Sequence, residues 1–468
     1  MKSRVAPVIL CVAACVLSLQ SCGLHAPLRP SVLLVVVDTL RADRLGLYGW
    51  STSETSPVLD RFARQSLVYE HAVAPAPFTM PSMAATFTGL YPDRAGVANH
   101  STEDSLLNTP SATLAEVLHS AGYRTGGIVT NSWLRSKPQG FRRGFEDAFI
   151  DTDGASNVTD RAVELLEDWG DDPFFLWAHY FEPHMPYVPQ EDDLQRFGLS
   201  SGSSSVVSDF IAGGFDQKQA IFFNGDYPDA ELTATRKLYE ASIRYADREI
   251  GRLLEALDAM GKSDDTIVIF MSDHGESLGD HGLFFAHDFT LYDELVHVPL
   301  VVRRPGIEAA RIEVPVSLID VMPSLCAWLP VSCPESMDGV PLPEMGPVAG
   351  DRALFAASAP WRERYGGYPR HYVRGLEGRW TMIRRGSLKV IKIPHQDGPI
   401  WEGYDLARDP SELVNILEDE PSGALGSLQD ELLKWEARMR ALRPKAGEAI
   451  EDLDEETLEE LRSLGYIR

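Results

Sequence analysis

The chain has 468 residues, 44% hydrophobic and 24% charged, which suits one large folded domain plus a smaller one and excludes a disordered chain. Its formal net charge of −26 argues against nucleic acid as a partner, because a phosphate backbone would be repelled over most of the surface. The same charge disfavours loose adhesion to anionic lipid, so any attachment to a membrane needs a dedicated anchor.

Such an anchor is legible at the N-terminus. Lys2 and Arg4 flank the start of an apolar run, VAPVILCVAACVLSL, that is too short for a spanning helix and has the pattern of a secretory signal. Leu19-Gln20-Ser21-Cys22 then resembles a bacterial lipobox, in which cleavage exposes a cysteine that becomes lipid-modified. Residues 1–21 therefore read as a lipoprotein signal peptide, Cys22 as the membrane attachment and residues 22–30 as a tether. An ordinary signal peptide with a chance cysteine is the alternative. The expected location is the bacterial cell envelope, on its periplasmic or extracellular face. Of the remaining cysteines, Cys326 and Cys333 either pair across a short loop, which an oxidising compartment permits, or stay as two buried thiols.

The run VLLVVV, ending at Asp38-Thr39, reads as a buried parallel strand whose carboxyl end carries an acid. Ser56-Pro57 reads as a capped helix start with a first-turn proline, SATLAEVLHSAG as an amphipathic helix closed by glycine, and GGIVT as another apolar strand. Thr79 stands two residues before Pro81, which places a hydroxyl at a helix N-terminus, where free N–H groups favour negative charge. PFFLWAH reads as a strand followed by His184. The stretch from about 190 to 229 breaks the alternation with GLSSGSSS and IAGGF, a loop-like insertion that is either a lid over the site or an inert surface excursion. ELTATRKLYEASIRYADREIGRLLEALDAMG then shows a helical stripe at Leu238, Tyr245, Ile250, Leu253, Leu254 and Leu257. It leads into TIVIFMSDHGE, a second buried strand ending in Asp273 and His274.

This alternation predicts an α/β fold, a mostly parallel central sheet with helices on both faces over 31–338. Beyond Gly339, short strands (HYVRGL, RWTMIRR, LKVIKI) and a helical tail predict a small C-terminal α+β subdomain over 339–468. Asp409-Pro410-Ser411-Glu412 reads as a helix entry. Ligands collect beyond the carboxyl ends of strands in open α/β sheets, so Asp38, Thr79, Asp273 and His274 are expected around one crevice. Two carboxylates, an imidazole and a hydroxyl there suit one divalent cation and an oxygen nucleophile. Zinc or manganese fits the mixed oxygen and nitrogen donors better than calcium, which prefers oxygen alone.

VDTLRADRLGLYGWSTSETSPVLDRFA, TMPSMAATFTGLYPDRAGV, WAHYFEPHMPYVP, SDHGESLGDHGLFFAHDFTLYDELVHVPLVV and GYDLARDPSELVNI resemble the sulfatase branch of the alkaline phosphatase superfamily, over about Ser31 to Arg468. The resemblance implies the alkaline phosphatase/sulfatase-like fold. It also shows departures. Sulfatases carry Cys or Ser in a C/S-x-P-S-R signature and oxidise it to formylglycine, whereas this chain has Thr79-Met80-Pro81-Ser82-Met83. A threonine would give a ketone rather than an aldehyde, so no formylglycine is expected, and Met83 replaces the arginine. Asp38-Thr39 stands where sulfatases have two aspartates, and Val129-Thr130-Asn131-Ser132 roughly where they have a GKWH-like tetrad. The remaining Asp38, Thr79, Asp273 and His274 resemble the metal-bound threonine site of the superfamily's phosphoester hydrolases and phosphoethanolamine transferases.

Histidines complete the picture. His184, His281 and His287 are candidates to assist the leaving group, and relatives place a Lys or His near His287 in contact with the transferred group. His179 and His297 stand evenly between site residues and buried structural histidines, and Asn131 is either a ligand contact or a turn residue, the turn being slightly favoured. The resulting reading is a metal-dependent hydrolase of phosphate, phosphonate or sulfate esters, phosphoester favoured, acting through a covalent Thr79 intermediate assisted by His184 and His287. Its substrate would be a small-molecule, glycan or lipid ester. The alternatives are an arylsulfatase-like enzyme, an envelope phosphoethanolamine-type transferase, and a non-catalytic envelope binding protein. The oligomeric state stays open.

Overall fold

A computed structural model describes residues 29–52, 54–98, 109–135, 140–223, 227–344, 352–361, 376, 378–417, 423–444 and 455–464. The signal, Cys22 and most of the HYVRGL segment lie outside the described residues.

Eight strands form one sheet in the order Ala310–Ile312, Leu67–Tyr69, Leu300–Arg303, Thr266–Ser272, Ser31–Val37, Phe174–Tyr180, Arg124–Val129, Ala148–Asp151. Ser31–Val37 runs parallel to both neighbours, with Val37 paired to Tyr180 on one side and Ser272 on the other. Only Leu300–Arg303 runs antiparallel to the strands beside it. The central strand is apolar throughout because both faces are covered. Val32, Leu34 and Val36 enter one hydrophobic cluster, and Leu33, Val35 and Val37 enter the other. The expected α/β architecture is therefore present.

Helix Thr79–Thr88 is buried along its whole length on the first face, with Phe78 as its N-terminal cap residue and Pro81 in its first turn. Asp229–Ala259, with 31 residues, covers the second face, and its stripe is buried at Leu238, Tyr245, Ile250, Leu253 and Leu257, while Leu254 is only partly so. Asp247 of this helix also replaces an expected cap. The Ser56 hydroxyl accepts from Gly46 N–H at 3.0 Å and donates to Asp60 at 3.1 Å, so the N–H groups of Val58 and Leu59 donate to Asp247 instead, at 3.0 and 2.8 Å.

Residues 190–229 are not a loop. They carry helices Glu191–Arg196, Ser205–Ala212 and Phe215–Phe223, with Leu194, Val206, Val207, Phe210 and Ile221 buried against the second cluster. Glycines and serines that read as loop mark the breaks between these short helices, and a few apolar anchors suffice to dock them. Cys326 and Cys333 are joined by a disulfide.

Leu354–Trp361, Gly378–Arg385, Leu388–Ile393 and Ile400–Asp405 form an antiparallel sheet, packed by helix Ala424–Leu442 through Trp435 stacked on Phe355 at 4.8 Å. Ala357 N–H donates to the Pro75 carbonyl and Ala359 N–H to that of Asp288, so this subdomain is stitched to the rim of the crevice. No helix starts at Asp409. Glu412 is held at φ +52 and pairs with the buried Lys389 at 2.7 Å, so burial of that lysine decides the local conformation.

Candidate active site

Register puts Asp38 and Asp273 one residue beyond the ends of adjacent parallel strands, on the same edge. Both are fully buried. Thr39 N–H donates to Asp273 Oδ1 at 3.3 Å, and so does His274 N–H at 2.9 Å. Asp38 Oδ1 and Asp273 Oδ2 lack a hydrogen-bond donor, as does the other ring nitrogen, Nδ1, of His179. Two buried carboxylate oxygens left without donors would be strongly destabilising unless a cation compensates them. The donor set fits a divalent ion on that ground. Asp38, His179 and Asp273 each present a ligand atom, all within 4.8 Å of one another.

Electrostatics point the same way. Burial opposes the charge on Asp38, but the His179 hydrogen bond at 3.3 Å and the fields of His184 and His274 hold its carboxyl below the usual range. Burial and then the neighbouring Asp38 push Asp273 well above it. Two buried carboxylates this close disfavour carrying full negative charge together without a compensating cation.

His274 faces both carboxylates, with Nε2 at 3.6 Å from Asp38 Oδ1 and from Asp273 Oδ2, and at 3.2 Å from Thr79 Oγ1. Its Nδ1 lies 2.9 Å from the Gly275 carbonyl, which fixes the proton on Nδ1 and leaves a lone pair on Nε2. Burial and then the nearby His287 lower its pKa to about 3, so it is neutral. Only glycine fits at 275, where a Cβ would stand 2.0 Å from the Glu294 carbonyl. Asp38, Thr79, Asp273 and His274 are thus brought together at one place.

Asn131 belongs with them, although it reads as a turn residue. It does serve the turn, its Oδ1 accepting from Trp133 N–H at 3.0 Å, but its Nδ2 donates to Asp38 Oδ2 at 2.8 Å and Thr79 Oγ1 at 3.3 Å. Asn131 follows an apolar strand just as Asp38 does, and that rule would have placed it here. His179 sits inside a strand, opposite Val36, so no end-of-strand rule singles it out.

A second group of side chains overhangs this centre. The His287 ring lies 4.6 Å from that of His274 and 5.0 Å from that of His184. Burial opposes charge on His287, yet Asp288 and a 3.2 Å contact with Glu276 push its pKa up to about 9, so it is an imidazolium at neutral pH. Glu276, fully buried, also accepts from the Tyr187 hydroxyl at 3.2 Å. His184 is stacked on Phe181 at 4.4 Å, its Nδ1 lies 2.6 Å from the Met185 carbonyl, and burial keeps it neutral. His281 is placed elsewhere: it pairs with Glu294 at 2.8 Å, stacks on Tyr292 at 3.7 Å, and lines a separate cavity of about 290 Å³ with Arg41 and Arg384. His297 likewise lines that cavity and reaches the Glu70 carbonyl at 2.8 Å.

Residues 30–331 match the family model described as Sulfatase. The chain belongs to the sulfatase family. Residues 279–438 of this sulfatase-family hydrolase also match the model described as N-sulphoglucosamine sulphohydrolase, C-terminal. Over 430 residues it is 26% identical to an ulvan-active sulfatase of Formosa agariphila, covering 84% of this chain and 78% of that one. It is 26% identical over 490 residues to PehA, a multifunctional alkaline phosphatase superfamily protein of Trinickia caryophylli, covering 85% and 93%. Among solved structures, the phosphonate monoester hydrolase of Agrobacterium radiobacter superposes with a TM-score of 0.67 at 22% identity, covering 88% of this chain and 96% of that one, which shows the shared fold.

Proposed function

We propose that this sulfatase-family hydrolase cleaves phosphate or phosphonate esters of a small molecule or glycan with Thr79 as nucleophile, from a lipid-anchored position at Cys22 in the cell envelope. The observation that carries the reading is Thr79 Oγ1 at the N-terminus of a buried helix, 3.2 Å from His274 Nε2 and 3.3 Å from Asn131 Nδ2, beside two buried carboxylates. Asp38, Asp273 and His274, with His179 beside them, would hold one divalent ion, zinc or manganese. That ion, when bound, lowers the pKa of the Thr79 hydroxyl enough for its oxygen to attack at neutral pH. With the His274 lone pair directed to the ion, the Thr79 hydroxyl proton leaves to solvent, and the Asn131 amide, donating to Thr79 Oγ1, holds that oxygen in place. Thr79 Oγ1 then bonds to phosphorus while the bond to the leaving oxygen breaks, and the His287 imidazolium donates its proton to that oxygen. Water completes the cycle by attacking the phosphorus: one of its protons passes to His287, the other stays on the product phosphate, and the bond to Thr79 Oγ1 breaks to release that oxygen deprotonated, as it began. His184 orients the His287 ring from its edge. Threonine cannot yield the aldehyde of formylglycine, so this route needs no such modification.

Sulfate esters are the second reading, supported by the family itself and by the ulvan-active relative. The description of PehA as multifunctional suits a fold that serves more than one ester. Purified protein assayed with aryl phosphate, phosphodiester, phosphonate and sulfate esters under zinc, manganese and calcium decides between them. The expected result is turnover of a phosphate or phosphonate ester at least about tenfold above sulfate, a difference of about 1.4 kcal/mol in the barrier. Sulfate as the best substrate overturns the preference. Asp273→Asn and His274→Ala should each lose metal by elemental analysis, and unchanged stoichiometry in both would remove the cation from the scheme.

A further inference from the structure

We propose that two buried hydroxyls, those of Tyr239 and Ser272, pre-organise the cation site by clamping the turn after Asp38 onto the loop that carries Asp273 and His274. This inference rests on the cation reading above and concerns how the site is held rather than what it binds.

The turn is strained. Thr39, fully buried and β-branched, has φ +56, a left-handed conformation that costs such a residue on the order of 1–3 kcal/mol and persists only where its surroundings over-determine it. The over-determination is visible peptide by peptide. The Thr39 carbonyl accepts from the Tyr239 hydroxyl at 2.7 Å, and Arg41 N–H donates to the oxygen of that hydroxyl at 3.0 Å. Between them Leu40 N–H donates to Ser272 Oγ at 2.9 Å, while the Ser272 proton goes to the His274 carbonyl at 2.6 Å. Two side chains thus satisfy three polar groups of two successive peptide units and tie them to the second ligand loop. Tyr239 is itself immobilised, fully buried on helix Asp229–Ala259 with its ring edge against Tyr187 at 5.4 Å.

Clamping is needed because of what the turn carries. Asp38 and Asp273 repel each other in a dry site, and a free turn would relax toward extended backbone and carry the Asp38 carboxylate away. The clamp instead keeps both carboxylates converged, so the separation of charges is opposed by the fold and not by the ion. Each hydroxyl spends its hydrogen bonds on backbone groups of the two loops, so both are positioning residues.

The test is the dissociation constant of Zn²⁺ and of Mn²⁺ for the purified protein, measured by titration calorimetry. Tyr239→Phe and Ser272→Ala should each weaken binding about 10–100-fold, the usual effect of removing an outer-shell partner. Thr39→Gly in the Tyr239→Phe background should recover most of the loss, because glycine holds φ +56 without strain, a rescue that a merely structural role for Tyr239 would not give. Affinity within twofold of wild type in both single variants overturns the clamp. Wild-type protein that binds none of zinc, manganese or calcium overturns the cation reading and the clamp together, so the two failures are distinguishable. If one variant does not fold, the other gives the same test from the opposite loop.

Discussion

The side-chain oxygen of Thr79 lies 3.2 Å from Nε2 of His274, a residue 195 positions later in the chain. With the His274 proton committed to the Gly275 carbonyl, the hydroxyl is the donor in that contact, and its oxygen accepts in turn from the Asn131 amide. Thr79→Ala should therefore lower kcat on the order of 10⁴-fold while leaving metal content near that of wild type. Thr79→Ser should keep part of the activity, since it offers the same oxygen. Steady-state rates and mass spectrometry of the Thr79 peptide after acid quenching check both, and wild-type turnover by Thr79→Ala would assign the attack to water instead.

Asn131 links nucleophile and carboxylate, so its loss should be felt twice. Asn131→Ala removes a 2.8 Å bond to the charged Asp38 and the donor to Thr79, and should lower kcat/KM by about 10–100-fold, equivalent to about 1.4–2.7 kcal/mol. It also removes the oxygen that accepts from Trp133 N–H at the start of helix Ser132–Arg135, costing about 1 kcal/mol of stability. Denaturant titration separates the second effect from the first. A variant with lowered stability and unchanged kcat/KM would return Asn131 to the turn role alone.

His281 supplies a pH dependence outside the site. Burial opposes its charge, but the hydrogen bond to Glu294 and the fields of Glu294 and Glu412 push its pKa up to about 9. A folded pKa above the unfolded one means a contribution fully present below about 6.5 and lost as pH rises through about 9. Wild type should exceed His281→Asn in melting temperature at pH 6, and the gap should narrow steadily toward pH 9.5. A gap that stays constant over that range would show that the imidazole contributes by packing on Tyr292 rather than by its charge.

Alternation of apolar strands with amphipathic helices is a local signal, and the central sheet follows it because Val32 to Val37 are buried on both faces. Asp38, Asp273 and His274 were legible for the same reason: a polar residue just past a buried strand has only the crevice to occupy. The helical build of residues 190–229 was not, because three helices of 6, 8 and 9 residues are too short for periodicity to overcome glycine and serine. His179 stayed undecided between site and structure because its role is fixed by register, the pairing of its strand with Ser31–Val37, which no local pattern specifies. The cap that Asp247 gives to Val58 and Leu59 spans 189 and 188 positions, again beyond any local rule.

The proposed attachment to the envelope rests on Cys22, which follows Leu19-Gln20-Ser21 and lies 16 positions before Asp38. A lipid-modified cysteine at that point would leave a tether of eight residues, 23–30, before the first strand begins at Ser31. At about 3.3–3.6 Å per extended residue such a tether spans roughly 25–30 Å, enough to hold the body clear of the headgroups but close to them. The formal net charge of −26 then argues that the acyl chains, not the protein, would hold it there. Cys22→Ser should shift the protein from the membrane fraction to the soluble fraction, or leave it with an uncleaved signal, while its specific activity stays that of the wild type. Metabolic labelling with a palmitate analogue should mark the wild type and not the variant. Wild-type protein recovered wholly in the soluble fraction and unlabelled would remove the anchor and leave an ordinary exported hydrolase.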